Sequence, residues 1–345
     1  MSERIDRLRA SLEEPLLVTN PVSVRYLTGF VSSSSALLVD EDRVALYTDF
    51  RYAEGARAVE GVEFVQTERA IYRDLAGLLS GPIGFEADYV TYGVYVHLAQ
   101  GEAELVPRHA LVETLRAVKD EGELEAIRRA AAVTSETFEH LAAEPFAGRT
   151  ESELAWRIEE LFHELGGEGP AYAPIVAAGE NGASPHTVPG DRKVRRGELV
   201  VIDAAAAVDG YCSDCTRTFA TGELPDRLRQ IYDVCLAAQQ AALERIRPGV
   251  KGPEADAAAR EPISDAGFGE EFGHGLGHGV GLMIHEEPRL AQTSTDTLEP
   301  GNVVTVEPGI YLSGLGGVRI EDLVVVTDDG PEVLTTFTKE LVTVD

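Results

Sequence analysis

The sequence contains little cysteine, with three residues, Cys212, Cys215 and Cys235, in a chain of 345. Three cysteines do not make the disulfide framework of a small secreted protein. No apolar run reaches the roughly 20 residues that a membrane-spanning helix requires. The N-terminus, which begins Met1-Ser2-Glu3-Arg4-Ile5-Asp6, shows no apolar core of a signal peptide. We therefore expect a cytoplasmic protein with no membrane partner.

Positive charge is also scarce. The chain has 30 lysines and arginines against 59 acidic residues, a net charge of −29. A surface of that sign repels phosphates and anionic lipids, so we expect no nucleic-acid partner. With 44% hydrophobic and 26% charged residues, the rest of the composition is typical of a soluble globular protein. A chain of this length suits two domains.

The first domain is predicted to comprise residues 1–116, where strand and helix signals alternate. Asn20-Pro21 is a helix N-cap followed by a first-turn proline, and the helix should end near Gly29. The apolar runs 36–39 and 44–48 predict a hairpin. A hairpin among crossover units implies a small α/β domain with a mixed sheet.

The second domain is predicted to comprise residues 117–345, which open with a long amphipathic helix after Lys119. Thr150 and Glu153 form a capping-box pattern that starts a second helix. Further helices are predicted for residues 225–246 and 252–266, so this part of the chain alternates helices with β-hairpin signals.

A glycine alternation between residues 273 and 282 is the most unusual pattern in the chain. Glycine occupies every odd position, and His274, Leu276, His278, Val280 and Leu282 occupy the even ones. A period of two predicts an extended strand with side chains on one face only. Because glycine weakens a strand, we expect another backbone, a ligand or a metal site to approach the bare face closely.

Two similar hairpins carry four acidic residues. In each, an acid (Asp203 or Glu307) lies six residues after a glycine, and a second acid (Asp214 or Glu321) follows a turn. The likeness predicts a pseudo-duplicated domain. Counting outward from each turn sets the two acids of a hairpin opposite one another, with Cβ atoms about 5 Å apart. The β-branched neighbours indicate that both pairs are buried.

Three explanations compete for these acids. They could be ordinary exposed strand residues, or a buried acid could pair with Arg319, which is close to Glu321 in sequence. Two buried acid pairs need more positive charge than one arginine supplies, and divalent cations provide it. Four carboxylates and one histidine suit manganese, with cobalt, iron or zinc tolerated. They offer enough oxygen atoms for two metal ions, which predicts a dinuclear metallohydrolase.

The histidines differ in how well they fit this site. His278 lies within the alternating strand and is the best nitrogen ligand, while His274 shares its face and is a second candidate. His285 has the opposite parity and reaches the cavity only if the strand bends or ends near Leu282. His186 lies in a loop, where a lone histidine is usually incidental.

The pair Cys212 and Cys215 permits one further interpretation, because a C-x-x-C motif occurs in redox and zinc sites. A structural zinc site needs a second pair of cysteines or histidines at matching spacing. We therefore interpret both cysteines as small buried residues beside Asp214.

At these residues the sequence resembles the pita-bread metallopeptidases, specifically the Xaa-Pro dipeptidase (prolidase) and aminopeptidase P branch. The order and spacing of the motifs are specific, and the resemblance extends over the whole chain. The matching stretches are Ser184-Pro185-His186, Ile202-Asp203, 209–218, 277–282, Ile284-His285-Glu286, 306–311 and 318–322.

The resemblance implies an N-terminal creatinase-like mixed α/β domain, a C-terminal pita-bread catalytic domain and hydrolysis of the Xaa-Pro peptide bond by a metal-bridging hydroxide. It implies a homodimer and two divalent ions, commonly Mn²⁺. The ligands implied for those ions are Asp203, Asp214, His278, Glu307 and Glu321, with Asp214 and Glu321 bridging.

The resemblance also implies roles around the metal site. Glu307 would serve as a proton shuttle, and His186 and His285 would orient the substrate and stabilise the tetrahedral intermediate. His274 matches a further histidine near the pocket, and Arg289 resembles an arginine that binds the terminal carboxylate of a dipeptide. Arg319 completes the candidate substrate-binding residues.

One departure concerns the residues after the first ligand. Relatives often have an aromatic residue and a glycine there, whereas this chain has four alanines at 204–207, which we expect to widen the pocket. Arg289 favours a dipeptidase, and the alternative is an aminopeptidase P that accepts longer Xaa-Pro-Yaa peptides. A non-catalytic pita-bread module that only binds a partner is a third possibility, against which the complete ligand set argues.

Overall fold

The computed structural model describes residues 3–344. Met1, Ser2 and Asp345, the outermost residues of the two predicted domains, lie outside the described residues. The chain divides into two compact units, Met1–Arg116 and Ala117–Asp345. Between residues 3 and 344, no helix combines the length and the apolar character needed to cross a membrane.

The first unit alternates helices and strands. Its helices are α1 (Glu3–Arg9), α2 (Pro21–Thr28), α3 (Ala53–Arg57), α4 (Ile71–Leu78), α5 (Tyr92–Leu98) and α6 (Leu111–Ala117). Its strands are β1 (Leu16–Val18), β2 (Ser35–Val39), β3 (Val44–Asp49), β4 (Glu63–Thr67), β5 (Ser80–Glu86) and β6 (Glu102–Arg108).

These six strands form one mixed sheet in the order β4-β3-β2-β1-β5-β6. β2 pairs antiparallel with β1 and β3, while the outer pairs are parallel. The predicted mixed sheet and hairpin are therefore confirmed. The side chain of Asn20 caps α2 by accepting from the Val22 amide, and Gly29 ends this helix in the left-handed conformation, as the sequence predicts.

The second unit holds four long helices and two sets of strands. The helices are α7 (Glu121–Ala142), α8 (Glu151–Glu164), α9 (Asp226–Arg245) and α10 (Gly252–Asp265). The first set of strands is β7 (Gly169–Pro170), β8 (Ile175–Ala178), β9 (Leu199–Asp203), β10 (Ala206–Val208), β11 (Tyr211–Cys212) and β12 (Thr216–Ala220). The second set is β13 (Gly277–Gly279), β14 (Glu286–Leu290), β15 (Val303–Val306), β16 (Gly309–Leu312), β17 (Gly316–Arg319), β18 (Asp322–Thr327) and β19 (Gly330–Val333).

The two sets of strands share one plan, which is the pseudo-duplication that the sequence predicts. In each set a hairpin is built in two parts: β9 pairs with β12 and β10 with β11, while β15 pairs with β18 and β16 with β17. The ladder is interrupted between the two parts. The four acids lie at or next to these interruptions, where backbone geometry is irregular and side chains can converge.

The helices cover the strands with apolar side chains. Phe138 of α7 and Ile158 of α8 belong to a core with Ile202 of β9. Ile231 of α9 and Ala259 of α10 belong to a second core, together with Val304 of β15 and Val324 of β18. The buried apolar faces of the helices therefore pack against the strands that carry the acids and hold these strands in place.

The glycine segment forms a shorter strand than the sequence predicts, because only Gly277–Gly279 is regular β-structure. The close approach to its bare face is confirmed, and the approaching group is backbone. A Cβ atom at Gly277 would overlap the carbonyl oxygen of Thr305, and one at Gly279 would overlap that of Glu287. Close packing against β14 and β15 explains the glycines, since any side chain there would push the strands apart.

Candidate metal centre and active site

Three carboxylates meet at the interruptions of the two hairpins. Asp203, Asp214 and Glu321 each offer an oxygen atom, and these three atoms lie within 4.8 Å of one another. Asp214 and Glu321 are buried, and Asp203 is partly buried. Acids so close in a buried site repel one another unless protons or cations are shared among them.

The structure corrects the register of the first hairpin. The sequence predicts Asp203 opposite Asp214, but Asp203 pairs with Thr216. The turn comprises Asp209 and Gly210, both with positive φ, and it lies one position further along than the symmetric count assumed. Asp214 still reaches Asp203 because it lies in the interruption between β11 and β12, outside the ladder.

The second hairpin keeps the predicted register. Val306 pairs with Asp322 on one side of the interruption and Gly309 pairs with Arg319 on the other. Both pairings set Glu307 opposite Glu321. Glu321 also accepts a hydrogen bond of 2.6 Å from the Thr216 hydroxyl, which connects the two hairpins.

His278 faces two of the carboxylates. Its Nε2 lies 3.4 Å from Oε1 of Glu307 and 3.6 Å from Oδ2 of Asp214. Its Nδ1 lies 3.0 Å from the carbonyl oxygen of Gly279, an acceptor, so Nδ1 carries the proton in the neutral ring. The Nε2 lone pair then points toward the carboxylates. A neutral imidazole oriented by a backbone carbonyl is the usual arrangement of a metal-binding histidine.

Burial and mutual repulsion change the acidity of this cluster. Burial raises the pKa of Asp214 well above its ordinary value, and the charges of Asp203 and Glu307 raise it further. The pKa of Glu321 is raised for the same reasons, with Asp214 as the largest charge effect. A group of buried carboxylates with one imidazole fits divalent cations, because a cation removes the cost of ionising the acids.

Tyr172 belongs to this site, although sequence reasoning did not identify it. Its hydroxyl donates to Oδ1 of Asp203 and, at 2.8 Å, to Oδ1 of Asp214. Burial raises its pKa well above the ordinary value, and the nearby carboxylates add to that rise. Tyr172 lies in the irregular segment between β7 and β8, where no periodic pattern distinguishes it from other loop residues.

Arg319, predicted to bind substrate, is buried, and protein groups accept from each of its guanidinium nitrogens. Nη2 donates to Asp203 at 2.6 Å, Nε to the Thr216 hydroxyl at 3.0 Å, and Nη1 to the Tyr311 hydroxyl at 2.9 Å. The guanidinium of Arg319 thus pairs with Asp203. One of the alternatives drawn from the sequence paired it with Glu321 instead.

His274 is connected to Arg319 through Tyr311. Nε2 of His274 lies 3.0 Å from the Tyr311 hydroxyl, while Nδ1 lies 2.8 Å from the carbonyl oxygen of Gly275. Burial lowers the pKa of His274 and raises that of Tyr311 to about 12. Both groups are therefore neutral near pH 7, and Tyr311 donates to the histidine while it accepts from Arg319.

The remaining candidates surround the cluster. The ring of His285 lies 4.4 Å from that of His278 between centroids, and burial followed by the charge of His278 lowers the pKa of His285. His186 is exposed, and its charge acts on both His274 and His285. Arg289 is 70% exposed on β14, with Nε 3.8 Å from Glu287.

Three of the four alanines after Asp203 are buried, and the expected widening of the pocket stays a prediction. Ala204, Ala205 and Ala206 are each no more than 1% exposed, and Ala204 and Ala206 pack in the core beneath α7 and α8. Their small size allows close packing of helices on the strand. Cys212 and Cys215 are buried cysteines, as predicted, and burial raises the pKa of the Cys215 thiol.

Comparison with known proteins agrees with this arrangement. Residues 125–328 match the model of metallopeptidase family M24, and residues 4–118 match the creatinase/prolidase N-terminal domain. The Xaa-Pro dipeptidase of Pyrococcus furiosus is 35% identical over 99% of this chain and 100% of its own length.

Solved structures of similar proteins also match the whole chain. A structure described as an Xaa-Pro dipeptidase from Bacillus anthracis is 40% identical, with a TM-score of 0.94 over 99% of each chain. An X-Pro aminopeptidase from Thermotoga maritima is 35% identical, with a TM-score of 0.89 over 99% of this chain and 100% of its own. The chain therefore belongs to metallopeptidase family M24 and carries the creatinase/prolidase N-terminal domain in front of its pita-bread domain.

Proposed function

We propose that this protein is a dinuclear-metal-dependent exopeptidase that hydrolyses the Xaa-Pro bond, with dipeptides as the preferred substrates. The observation that carries this proposal is the convergence of three carboxylates within 4.8 Å, together with His278, whose Nε2 faces Asp214 and Glu307. The names of similar proteins support the substrate class, since several are Xaa-Pro dipeptidases or prolidases.

Five residues would hold the metal ions: Asp203, Asp214, His278, Glu307 and Glu321. Burial, followed by the charges of the neighbouring acids, raises the pKa values of Asp214 and Glu321, so bound cations would offset the cost of ionising these two acids. When bound, the ions supply Lewis acidity and lower the pKa of a water. Manganese suits this oxygen-rich set, and cobalt, zinc or iron are alternatives.

The chain's own residues supply the remaining chemistry. Glu307 would accept the proton of the attacking water and deliver it to the leaving proline nitrogen. His186 and His285 are both exposed, and they would donate hydrogen bonds to the substrate oxygen that develops negative charge. His274, held neutral by burial, would contact the substrate near them.

Arg319 and Arg289 were both predicted to bind substrate, and we propose different roles for them. The guanidinium of Arg319 already donates to Asp203, Thr216 and Tyr311. Arg319 would therefore orient the metal ligand Asp203 instead of contacting the peptide. Arg289 is 70% exposed, with Glu287 as its ion-pair partner at 3.8 Å, and would bind the terminal carboxylate of a dipeptide.

A specific observation keeps aminopeptidase P as the second candidate. The similar X-Pro aminopeptidase from Thermotoga maritima covers this chain as fully as the dipeptidases do, so similarity alone does not separate the two activities. Assays of Xaa-Pro beside Xaa-Pro-Yaa separate them, because a strict dipeptidase spares the tripeptide. A homodimer and a cytoplasmic location remain predictions, and light scattering of the purified protein tests the first.

The experiment that tests the proposal combines chelation with ligand variants. Chelation should abolish hydrolysis of Xaa-Pro, and added Mn²⁺ should restore it. Asp214→Ala and His278→Ala should lower bound metal and activity together, whereas Asp265→Ala, an exposed acid at the end of α10, should change neither. Full turnover by metal-free enzyme, or by either ligand variant, would refute the proposal. A metal-free protein with no turnover and a tight peptide partner would favour the binding module.

A further inference from the structure

The loop that carries His186 is fastened at both ends to one buried carboxylate. The segment follows the 3₁₀ turn at Gly179–Ala183, and its central residues are exposed. Glu151, the first residue of α8, has no exposed surface. Nothing in the proposed chemistry uses this acid.

The hydrogen bonds of Glu151 come from amide groups on either side of the loop. Before the loop, the Ala178 amide donates to Oε1 at 2.8 Å, and Nδ2 of Asn181 donates to Oε1 and Oε2 at 2.9 and 3.1 Å. After the loop, the Gly190 amide donates to Oε2 at 3.2 Å. One carboxylate thereby joins the two ends of the segment.

The start of α8 strengthens this connection through its backbone. The Glu151 amide donates to the carbonyl oxygen of Arg192 at 3.0 Å, and the Ser152 amide donates to that of Gly190 at 3.1 Å. Because the positive end of the helix dipole lies here, this position favours a carboxylate, and that of Glu151 accepts from several donors.

The opposite side of the loop is held by the metal-site network. Nη1 of Arg319 lies 3.4 Å from the carbonyl oxygen of Pro185, the residue directly before His186. The 3₁₀ turn also packs against β17, since a Cβ at Gly182 would lie 3.1 Å from the Gly317 amide nitrogen. The position of His186 is therefore determined by Glu151 on one side and by Arg319 on the other.

We propose that Glu151 is a positioning residue for His186: its carboxylate closes the loop and sets the distance of the imidazole from the substrate. The kinetic consequence of this inference rests on the proposed peptidase function. The anchoring of the loop by Glu151 does not depend on that function. A carboxylate is required because every partner is a donor. Glutamine would present an amide NH₂ to some of these donors and lose the corresponding hydrogen bonds.

The kinetic experiment compares Glu151→Gln, His186→Ala and the double variant at saturating Mn²⁺. Glu151→Gln should lower kcat/KM for Xaa-Pro by about 10- to 100-fold, the usual effect of a misplaced catalytic contact. The double variant should be no worse than His186→Ala alone, because the two changes remove the same contribution. Glu153→Gln is the matched control, since it makes the same change two residues along in the same helix turn and keeps the capping box.

Two results would overturn the kinetic claim: Glu151→Gln with wild-type kcat/KM, or a double variant whose loss is the product of the single losses. Asn181→Ala provides a milder test if Glu151→Gln does not fold. It removes one donor from the carboxylate and should lower kcat/KM in the same direction, while an unchanged value counts against the proposal.

Hydrogen exchange of the amides in 179–192 tests the anchoring without any assay of activity. Glu151→Gln should speed exchange in this segment, where Glu153→Gln should not, and bound Mn²⁺ should be equal in both. Unchanged exchange in Glu151→Gln overturns the inference. If the wild-type protein hydrolyses no proline peptide, the proposed function fails, and faster exchange in this variant still supports the anchoring.

Discussion

Tyr172 shares its single hydroxyl proton between Asp203 and Asp214, the two acids of the first hairpin. Burial and the neighbouring carboxylates raise its pKa, so the phenol keeps its proton throughout the physiological range. It therefore acts as a permanent donor that reduces the repulsion between two carboxylates and fixes the direction of their remaining lone pairs.

Substitution of Tyr172 tests this relationship. Tyr172→Phe should weaken metal binding or activity by about 10- to 100-fold, the usual effect of removing a group that orients metal ligands. Titration of the metal-free variant with Mn²⁺, followed by activity and by calorimetry, measures the change. Tyr232→Phe is the control, because that buried hydroxyl donates to the Lys339 carbonyl, away from the acids. Wild-type Mn²⁺ affinity in Tyr172→Phe would mean that the hydroxyl is dispensable.

Metal removal should make stability depend on pH in a defined direction. Asp214 and Glu321 have raised pKa values in the folded metal-free protein, so the folded state binds protons more tightly than the unfolded chain. By linkage, the free energy of unfolding of the metal-free protein falls as pH rises above the ordinary values near 4. Bound cations remove this penalty, and the stabilisation by Mn²⁺ should grow between pH 5 and pH 8.

Thermal unfolding of the protein with Mn²⁺ and with chelator, at several pH values, measures this difference. The gap in Tm should widen toward pH 8 and narrow toward pH 5. The variant Asp214→Asn, which cannot ionise at that position, should show a weaker pH dependence when metal-free. A gap of constant size would show that the carboxylates are not the groups linked to stability.

The second hairpin shows how much of the site the sequence determines. Counting outward from Gly314 predicts Glu307 opposite Glu321, and the pairs that flank the interruption keep that register. Secondary-structure signals were equally informative where they rest on local chemistry, as in the capping box of Thr150 and Glu153. Patterns of this kind depend on near neighbours in the chain.

The first hairpin shows why the rest could not be predicted. A turn placed one residue further along changes the partner of Asp203 by two positions, from Asp214 to Thr216. The acids meet through the irregular backbone between β11 and β12, which no alternation pattern encodes. Tyr172 and Glu151 act on residues more than 25 positions away in the chain, so only the folded structure reveals their roles.

Lys119 and Glu286 form a buried ion pair beside His285. Nζ of Lys119 lies 3.1 Å from Oε2 of Glu286, and the two side chains are 0% and 5% exposed. Oε1 of Glu286 accepts from the Met283 amide at 2.9 Å, which closes the turn between β13 and β14. Lys119→Met leaves a buried carboxylate without this cation and should cost roughly 3–5 kcal/mol of unfolding free energy.

Urea unfolding of the metal-loaded protein measures that loss. The double variant Lys119→Met with Glu286→Gln should recover part of it, because no net charge then remains buried. Lys251→Met, at the exposed N-cap of α10, is the control and should change stability by less than about 0.5 kcal/mol. Equal losses in the single and double variants would argue against a compensated pair.

Glu86 in the first unit is a buried acid whose charge we expect to reduce stability at neutral pH. Oε2 accepts from the backbone amides of Thr19 and Asn20, at 2.6 and 2.8 Å, at the start of α2. Burial nevertheless raises the pKa of Glu86, so its contribution to stability is present at low pH and is lost as pH rises through that value. Glu86→Gln keeps an oxygen acceptor and removes the charge.

We expect Glu86→Gln to raise the free energy of unfolding at pH 7 to 8 by about 1 kcal/mol, with the gain vanishing near pH 4. Glu102→Gln, an exposed acid at the start of β6, is the control for the general benefit of removing one negative charge from a chain of net charge −29. Urea unfolding of both variants across this pH range distinguishes the effect of the buried charge from the general effect of removing a negative charge. A loss of stability in Glu86→Gln at pH 7 would show that the ionised carboxylate is needed at the start of α2, because its bonds to the two amides then outweigh the cost of burying its charge.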